Sequence, residues 1–250
     1  MDKTFNPFSL DGKTILVTGA SSGIGKGIAI ACSRMGATVI ITGRNETKLQ
    51  TTASALYGEK YVEIIADLTD LQSRETLVEQ LPKLDGIVHC AGIGQRLPCK
   101  MLTEEDIDNV MSINFKSSVL LQAQLLSKKK VNRQASIVFM ASRAAEIPSV
   151  GNSVYSASKG AVISYAKCLA LEVASRLIRV NCICPAMVWT DLIYQGGFTK
   201  EDFEKAQLDY PLKRYGTPED IANLAIYLLS DASSWMTGSS IDISGGGISS

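Results

Sequence analysis

Short hydrophobic runs rich in β-branched residues alternate with segments whose apolar residues recur every three or four positions. The runs predict strands, and the segments between the early runs predict helices at 25–36, 45–58 and 71–82. The predicted strands are residues 13–19, 38–43, 61–67, 86–92, 136–142, 178–184 and 239–244. Because these strands are almost continuously apolar, they indicate a parallel sheet that is covered on both faces.

The alternation continues along the chain without a linker, an internal repeat or a low-complexity tract. It predicts an α/β protein with a single-domain, doubly wound Rossmann fold over residues 1–250. A seven-stranded parallel sheet would be flanked by helices on both faces, with ligands beyond the carboxyl ends of the strands. A chain of 250 residues with 46% hydrophobic residues is sufficient for one such core.

The segment 217–230, "TPEDIANLAIYLLS", carries the signals of a helix start. Thr217 is expected to be the N-cap and Pro218 the first helical residue. Asp220 stands where a capping box usually has Glu or Gln, so we expect a weak capping box.

Charge and cysteine content exclude several classes of partner. The 25 basic and 25 acidic residues balance, so there is no electrostatic reason to expect nucleic acid or an anionic membrane as a partner. The N-terminus lacks a long apolar run, and no stretch approaches the roughly 20 residues that span a bilayer.

Six scattered cysteines and one histidine predict no metal site. The even cysteine count permits disulfides, but reduced, mostly buried thiols in a cytoplasmic protein are the favoured interpretation.

A glycine-rich turn follows the first predicted strand, in "TGASSGIGKGIAIA" (18–31). Gly19, Gly23 and Gly25 would let the backbone turn sharply and approach a ligand closely. The following helix start would offer unpaired N–H groups to a pyrophosphate. The spacing is GxxxGxG rather than the usual GxGxxG, and a tight turn that binds nothing is the alternative. Its place between a strand and a helix favours a dinucleotide site.

The end of the second strand indicates which cofactor is used. An acidic residue there would bind the 2′-hydroxyl of NAD(H), but this chain reads Thr42, Gly43, Arg44, Asn45. Arg44 could pair with a 2′-phosphate, so NADP(H) is favoured over NAD(H), unless Arg44 is only an exposed loop residue. Asp67, which ends the third predicted strand, would border the adenine or cap the next helix.

Tyr155 and Lys159 are four residues apart in "SVYSASKGAV" (153–162), a segment that favours helix. Positions i and i+4 share a helix face, so the two side chains would point the same way. The spacing alone leaves two interpretations equally open: a functional pair, or a helix packed through small residues with a solvent-facing lysine.

Several motifs together resemble the classical short-chain dehydrogenase/reductase family from about residue 10 to the C-terminus. They are "TGASSGIG" (18–25), "HCAG" (89–92), Asn114 in "SINF", Ser142 in "MAS", "YSASK" (155–159), "NCICPAMVWT" (181–190) and "TGSSIDISGG" (237–246). The interval of thirteen residues from Ser142 to Tyr155 is also typical of this family. Within it, 3-oxoacyl-acyl-carrier-protein reductases are the most similar, notably in "ITGRNETKLQ" (41–50) and the terminal "GG".

The resemblance implies that Asn114, Ser142, Tyr155 and Lys159 form a catalytic tetrad. Tyr155 would exchange a proton with the substrate oxygen, which Ser142 would hydrogen-bond. Lys159 would hold the nicotinamide ribose, and Asn114 would hold a relay water. A cation about 4 Å away would lower the pKa of Tyr155 by about three, with desolvation opposing this. The alternatives are a helix cap for Ser142, a backbone-bonding kink residue for Asn114 and a core aromatic for Tyr155.

The resemblance also implies a set of cofactor contacts, with Thr190 at the nicotinamide carboxamide. They are Gly19, Ser21, Ser22, Gly23, Ile24, Gly25, Arg44, Asn45, Asp67, Leu68, Cys90, Ala91, Gly92, Tyr155, Lys159, Pro185, Val188 and Thr190. Two positions depart from the family pattern. His89 and Cys90 replace two asparagines, and His89 is expected to be structural. Ala186 replaces a glycine and would tighten the substrate cleft.

Residues 187–212 are apolar and aromatic and suggest a substrate lid, with Gly196 and Gly197 as a hinge. A packed surface excursion is the alternative. Trp189, Ile193, Tyr194 and Phe198 would favour a largely apolar substrate portion. The predicted substrate contacts are Ser142, Ala144, Ile147, Tyr155, Ala186, Met187, Trp189 and Ile193.

These expectations together predict an NADPH-dependent enzyme that reduces a carbonyl group to an alcohol. A 3-oxoacyl thioester, and thus a role in fatty acid biosynthesis, is the leading substrate hypothesis. A sugar, steroid or small secondary alcohol is the alternative, and a catalytically silent NADP-binding regulatory protein is the alternative of another class. The resemblance suggests a homotetramer, with interfaces at the helix beside the fifth strand, the Tyr155 helix and the C-terminal strand.

Overall fold

The computed structural model describes residues 6–194 and 199–247. Seven strands in this part of the chain form one sheet, and every neighbouring pair in it is parallel. The strands are β1 (Thr14–Thr18), β2 (Thr38–Gly43), β3 (Tyr61–Ile65), β4 (Leu84–His89), β5 (Val131–Met140), β6 (Arg179–Pro185) and β7 (Ser240–Ile243). Their order is β3-β2-β1-β4-β5-β6-β7, which confirms the doubly wound Rossmann fold.

Helices cover both faces of the sheet. They are α1 (Gly23–Arg34), α2 (Glu46–Ala53), α3 (Leu71–Gln80), α4 (Glu104–Met111), α5 (Ser117–Ser127), α6 (Ser153–Val173), α7 (Lys200–Ala206) and α8 (Pro218–Leu229). Side chains alternate along each strand, so Leu16 of β1 packs toward α3, α5 and α6, while Ile15 and Val17 pack toward α1, α2 and α8. The continuous apolar strands therefore fill two cores.

Strand β5 differs most from its predicted extent, because it begins at Val131 rather than 136. Val131 pairs with Leu84, but the next paired residues are Ser136 and Gly86, so the intervening residues form a bulge. Gln134 in this bulge has a φ of 65°. The polar residues of the bulge interrupt the apolar pattern, which is why the sequence does not indicate the early start.

The start of α8 has the cap that the sequence predicts. Thr217 Oγ1 accepts the N–H of Asp220, and the Asp220 carboxylate accepts the N–H of Thr217 at 2.8 Å. Arg214 donates two hydrogen bonds to the same carboxylate, at 2.6 and 3.0 Å. The predicted N-cap and capping box are therefore confirmed, and Arg214 additionally holds the Asp220 carboxylate.

All six cysteines have free thiols. Cys32, Cys182 and Cys184 are buried and Cys90 is half-buried, whereas Cys99 and Cys168 are exposed. Between residues 6–194 and 199–247, no helix is both long and apolar enough to cross a bilayer. The same described residues contain no group of three His, Cys, Asp or Glu side chains suited to a metal ion.

Candidate active site

A cleft of about 480 Å³ lies at the carboxyl edge of the sheet. It is lined by residues that follow β1, β2, β3, β4, β5 and β6. Strands β1 and β4 are neighbours here, and the chain leaves them toward opposite sides of the sheet. A parallel sheet opens a binding crevice at such a point.

The turn between β1 and α1 fits the pyrophosphate of a dinucleotide. Gly19 has a φ of +64°, and a Cβ there would lie 2.8 Å from the backbone of Ala91, so the turn requires glycine. Ser22 makes no capping hydrogen bond, and the first turn of α1 has no acidic residue. By contrast, side chains cap α2, α3, α4, α7 and α8. The first N–H groups of α1 therefore lack a side-chain acceptor and are suited to bind phosphate oxygens.

Arg44 and Asp67 lie together at one end of the cleft. Partial burial acts to raise the pKa of Asp67, but hydrogen bonds from Thr69 and the nearby charges of Arg44 and Arg74 hold it below its usual value. Asp67 Oδ1 accepts the Thr69 hydroxyl at 2.7 Å. It does not cap α3, because Asp70 occupies the N-cap of that helix.

Asn45 is the one predicted cofactor contact that does not line the cleft. Its side-chain oxygen instead accepts the N–H of Lys48 at 2.9 Å and so caps α2. The other predicted contacts line the cleft: Gly19, Ser21, Ser22, Gly23, Ile24, Gly25, Arg44, Asp67, Leu68, Cys90, Ala91, Gly92, Tyr155, Lys159, Pro185, Val188 and Thr190.

Tyr155, Lys159 and Ser142 all line the cleft. Lys159 Nζ lies 5.8 Å from the centre of the Tyr155 ring, so the two side chains share a face of α6. Lys159 also donates a hydrogen bond to the carbonyl of Met140 at 2.9 Å. Ser142 Oγ accepts the N–H of Ala144 at 3.1 Å, which caps the short 3₁₀ helix Arg143–Ala145, and the Ser142 hydroxyl also hydrogen-bonds Tyr155. The helix-cap interpretation of Ser142 is therefore confirmed, and its hydrogen bond to a substrate oxygen stays a prediction.

Burial determines the proton affinity of both groups. Removal from water lowers the pKa of Lys159 to about 8. Burial raises the pKa of Tyr155 above its ordinary value, although the hydrogen bond with Ser142 opposes this. The expected lowering of the Tyr155 pKa is therefore wrong for this structure, because desolvation of the phenolate outweighs its stabilisation by neighbours. A phenol that keeps its proton at neutral pH is suited to donate it.

Asn114 lies behind the cleft rather than in its lining. It is part of the π-helical turn Ser112–Lys116, between α4 and α5. Its Oδ1 accepts the N–H of Ile93 at 2.7 Å, and its Nδ2 donates to the Ile93 carbonyl at 2.9 Å and to Ser158 Oγ at 3.1 Å. The side chain thus connects the loop after β4 to α6. These bonds to the Ile93 backbone agree with the alternative in which Asn114 is a backbone-bonding residue. Its role in holding a water stays a prediction.

His89 packs inside the protein and does not line the cleft. Its Nε2 lies 2.9 Å from Gln122 Oε1, and its ring stacks on Phe139 with the centroids 4.5 Å apart. Burial lowers the pKa of His89 to about 4, so the ring is neutral at pH 7. This position agrees with the expected structural role.

The predicted substrate contacts are only partly brought together. Ser142, Ala144, Tyr155, Ala186, Met187 and Ile193 line the cleft, whereas Ile147 and Trp189 do not. Trp189 packs instead against Tyr215, with the ring centroids 5.4 Å apart, and donates to Gln207 Oε1 at 3.3 Å. Gly196, Gly197 and Phe198 lie outside the described residues.

Sequence reasoning missed Thr42 (as a contact), Lys48, Arg96, Asn152 and Phe203, which also line the cleft. The first four follow or end strands at the same sheet edge, and that position was the available signal. Their residue types alone do not distinguish them from the many similar residues that lie outside the cleft. Lys48 and Asp191 form an ion pair of 3.8 Å, and Phe203 comes from α7 in the predicted lid.

Comparison with known proteins gives one consistent family. Residues 19–247 match the family model described as Enoyl-(Acyl carrier protein) reductase. The 3-oxoacyl-[acyl-carrier-protein] reductase FabG of Rickettsia felis is 36% identical over 237 residues, which cover 95% of this chain and 97% of that protein. The L-xylulose reductase of Caenorhabditis elegans is 36% identical over 241 residues and covers 94% of this chain and 95% of its own length.

Solved structures extend this similarity to three dimensions. A short chain dehydrogenase/reductase family protein aligns with a TM-score of 0.85 at 31% identity, over 96% of this chain and 99% of its own. A structure assigned as an NAD(P)-dependent gluconate 5-dehydrogenase from Beutenbergia cavernae has NADP bound at low occupancy. It aligns with a TM-score of 0.86 at 31% identity, over 96% of this chain and 98% of its own. The F189W actinorhodin polyketide ketoreductase with NADPH aligns with a TM-score of 0.85 at 28% identity, over 94% of this chain and 96% of its own.

Proposed function

Because the chain belongs to the short-chain dehydrogenase/reductase family of oxidoreductases, we propose that it reduces a carbonyl group to an alcohol with NADPH. One observation carries the proposal. A buried lysine, a cleft-lining tyrosine and a serine after β5 converge on the same cleft as the uncapped start of α1. The first three suit proton transfer, and the helix start suits a dinucleotide phosphate.

When bound, NADPH supplies the hydride that reduces the substrate carbonyl. Ser142 would hydrogen-bond the carbonyl oxygen and stabilise the charge that develops on it. Tyr155 would donate its phenolic proton to that oxygen. Because burial raises the pKa of Tyr155, the phenol is protonated at neutral pH, and this favours the reductive direction. Lys159, charged below its pKa of about 8, would bind the cofactor and lower the cost of forming the phenolate.

Two observations support NADP(H) as the cofactor. Arg44 is exposed at the end of β2 and lines the cleft, where its guanidinium can pair with a 2′-phosphate. Two structural neighbours contain NADP or NADPH. The negative charge of the nearby Asp67 carboxylate is stabilised by hydrogen bonds from Thr69 and by the charge of Arg44 itself.

A 3-oxoacyl thioester is the leading substrate, and a role in fatty acid biosynthesis would follow from it. The Rickettsia relatives named as 3-oxoacyl-acyl-carrier-protein reductases support this. A sugar ketone is the second candidate, supported by the L-xylulose reductase relative and the gluconate dehydrogenase neighbour. The family model is described as an enoyl reductase, so reduction of a carbon–carbon double bond is a further activity to be tested.

Substitution of Tyr155 tests the proposed reaction. Tyr155→Phe should lower NADPH-dependent reduction by about 10²- to 10⁴-fold, because the general acid is lost, while NADPH binding measured by fluorescence stays intact. The substrates are acetoacetyl thioester, crotonyl thioester and L-xylulose. Tyr165→Phe is the matched control, since Tyr165 lies on the same helix but packs edge-on against Phe115 and Phe139.

Each outcome distinguishes the hypotheses. Unchanged turnover in Tyr155→Phe would contradict the proposed role of the tyrosine. Reduction of the crotonyl thioester alone would replace carbonyl reduction by enoyl reduction. NADPH binding without turnover of any substrate would favour the catalytically silent regulatory protein.

Three further features belong to the proposal. Residues 187–212 would act as a substrate lid, supported by Met187, Ile193 and Phe203 in the cleft lining.

The chain would form a cytoplasmic homotetramer. The exposed side chains of Leu171 on α6 and Trp235 before β7 support the predicted interfaces at the Tyr155 helix and the C-terminal strand, and light scattering would measure the assembly.

A further inference from the structure

The loop of residues 93–97 is held by hydrogen bonds at Ile93, Gln95 and Leu97, and its residues 93–96 line the cleft. Ile93 is bonded by the buried amide of Asn114. Gln95 donates to a carboxylate on α4 at 3.1 Å, and Leu97 donates its N–H to the loop before α6 at 2.8 Å. Arg96 lies between the last two anchored residues and lines the cleft.

Gly151 keeps Arg96 next to the reacting end of the cleft. Gly151 has a φ of +86°, accepts the Leu97 N–H, and a Cβ there would lie 3.1 Å from Arg96 Cγ. The next residue, Asn152, is the N-cap of α6 and also lines the cleft. Tyr155 follows three residues later on the same helix, so Arg96 is positioned beside the start of the helix that carries the proton donor.

The cleft is lined by more basic than acidic residues, although the chain as a whole has no net charge. Its charged lining residues in the described part of the chain are Arg44, Lys48, Arg96 and Lys159, with Asp67 and Asp191 as the acidic ones. Both carboxylates have basic neighbours on the β2–α2 side, Arg44 and Lys48 respectively. A cleft lined by an excess of one charge concentrates ligands of the opposite charge.

We propose that Arg96 binds an anionic group on the ketone substrate, either a carboxylate or a phosphate. This rests on the proposed reductase function and narrows its substrates to ketones that carry such a group. The planar guanidinium can donate two parallel hydrogen bonds to either anion. A carboxylate would indicate an oxo acid, and a phosphate would indicate a thioester on a phosphate-bearing carrier.

Two matched pairs of ketones test the proposal with NADPH. Acetoacetyl coenzyme A is compared with the neutral acetoacetyl N-acetylcysteamine thioester, and acetoacetate with ethyl acetoacetate. Arg96→Gln should raise KM and lower kcat/KM for the anionic member of one pair by about 10- to 100-fold. The neutral member should change by less than about 2-fold, and Arg96→Lys should restore part of the loss. Lys100→Gln, which removes a charge in the following 3₁₀ turn outside the cleft, is the control.

The pair that responds identifies the anion: coenzyme A indicates a phosphate and acetoacetate a carboxylate. Equal effects on both members of each pair, or no effect on either, would overturn the proposal while leaving the reductase function in place. If the wild type reduces no ketone, the proposed function fails, and calorimetric binding of the two anionic probes to the protein with NADP⁺ decides about Arg96. Weaker binding to Arg96→Gln supports the anion site, whereas equal or absent binding of both probes rejects it.

Discussion

Burial, rather than attraction between neighbours, determines the charges of the three groups whose protonation matters most. Lys159, Tyr155 and His89 each have a pKa displaced toward the neutral form, and desolvation is the largest cause in every case. A charge that leaves water loses solvation, and the available hydrogen bonds replace only part of it. At this scale the protein therefore favours a protonated phenol, a lysine that loses its proton more easily than usual, and a neutral imidazole.

Lys159 should produce the alkaline limit of the reductive reaction. Its pKa is about 8, and in the proposed mechanism its cation is the active form, so kcat/KM for NADPH should be constant below pH 8 and fall above it. The limiting slope is about tenfold per pH unit, because one proton is lost. Lys159→Arg should shift this decline to higher pH, since a guanidinium keeps its charge. A wild-type profile that stays level to pH 10 would contradict the assignment.

His89 should make the protein sensitive to mild acid. Its pKa is about 4 when folded and about 6.5 when unfolded, so the unfolded chain binds the extra proton between these values. Stability is therefore retained above about pH 6.5 and lost as the pH falls toward 4. Urea unfolding should show a loss of about 2 kcal/mol between pH 7 and pH 5 from this residue.

The variant His89→Asn removes the titrating ring. Its free energy of unfolding should depend on pH less than that of the wild type over the same interval. An identical pH dependence in the two proteins would assign the acid sensitivity to other groups.

At the scale of elements, the position of α1 depends on its contact with α8. A Cβ at Gly27 would lie 2.7 Å from Pro218 Cβ and 3.2 Å from the Pro218 backbone. This contact joins the second turn of α1 to the first residue of α8, one turn after the candidate phosphate site. Helix packing therefore positions the first N–H groups of α1 in the cleft.

Gly27→Ala tests this contact. The added methyl group should destabilise the protein by about 1–3 kcal/mol and weaken NADPH binding, because it pushes the start of α1 away from α8. Gly160→Ala is the matched control, since a Cβ at that helical glycine meets nothing within 4 Å. It should be neutral or stabilising by up to about 1 kcal/mol. Equal stability of Gly27→Ala and the wild type would refute the packing argument.

At the scale of the whole molecule, the cleft joins segments that are far apart in the chain. Its lining runs from Gly19 to Phe203 and includes connections from both halves of the sheet. A ligand that spans the cleft binds the folded protein and not the unfolded chain. Cofactor binding should therefore stabilise the entire fold.

NADPH should raise the Tm more than NADH does. At about 100 times its Kd, a ligand stabilises by about 2.7 kcal/mol, which corresponds to a rise of roughly 5–10 °C for a chain of this size. Arg44→Gln should remove most of the difference between the two cofactors, because the partner of the 2′-phosphate is lost. Equal shifts in the wild type, measured by scanning calorimetry, would reject NADP(H) selectivity.

Much of the candidate site could be located from the sequence because its residues lie at strand ends or at fixed helical spacing. Gly19, Ser142, Tyr155 and Lys159 are of this kind, and all line the cleft. Asn45 and Trp189 also have suggestive positions, but α2 capping and packing on Tyr215 use their side chains. Such competition for one side chain is decided by neighbours that are distant in the chain.

The sequence by itself determined the layered α/β architecture, the glycine-rich turn after β1 and the shared face of Tyr155 and Lys159. These features follow from local periodicity and backbone preference, which a linear pattern records. Only the tertiary structure decided the direction of the Tyr155 pKa shift, the bonding of Asn114 to Ile93 and the placement of Arg96 beside Gly151. Each of these depends on desolvation or contact between segments that meet only when the sheet assembles, because burial and distance are properties of the folded chain.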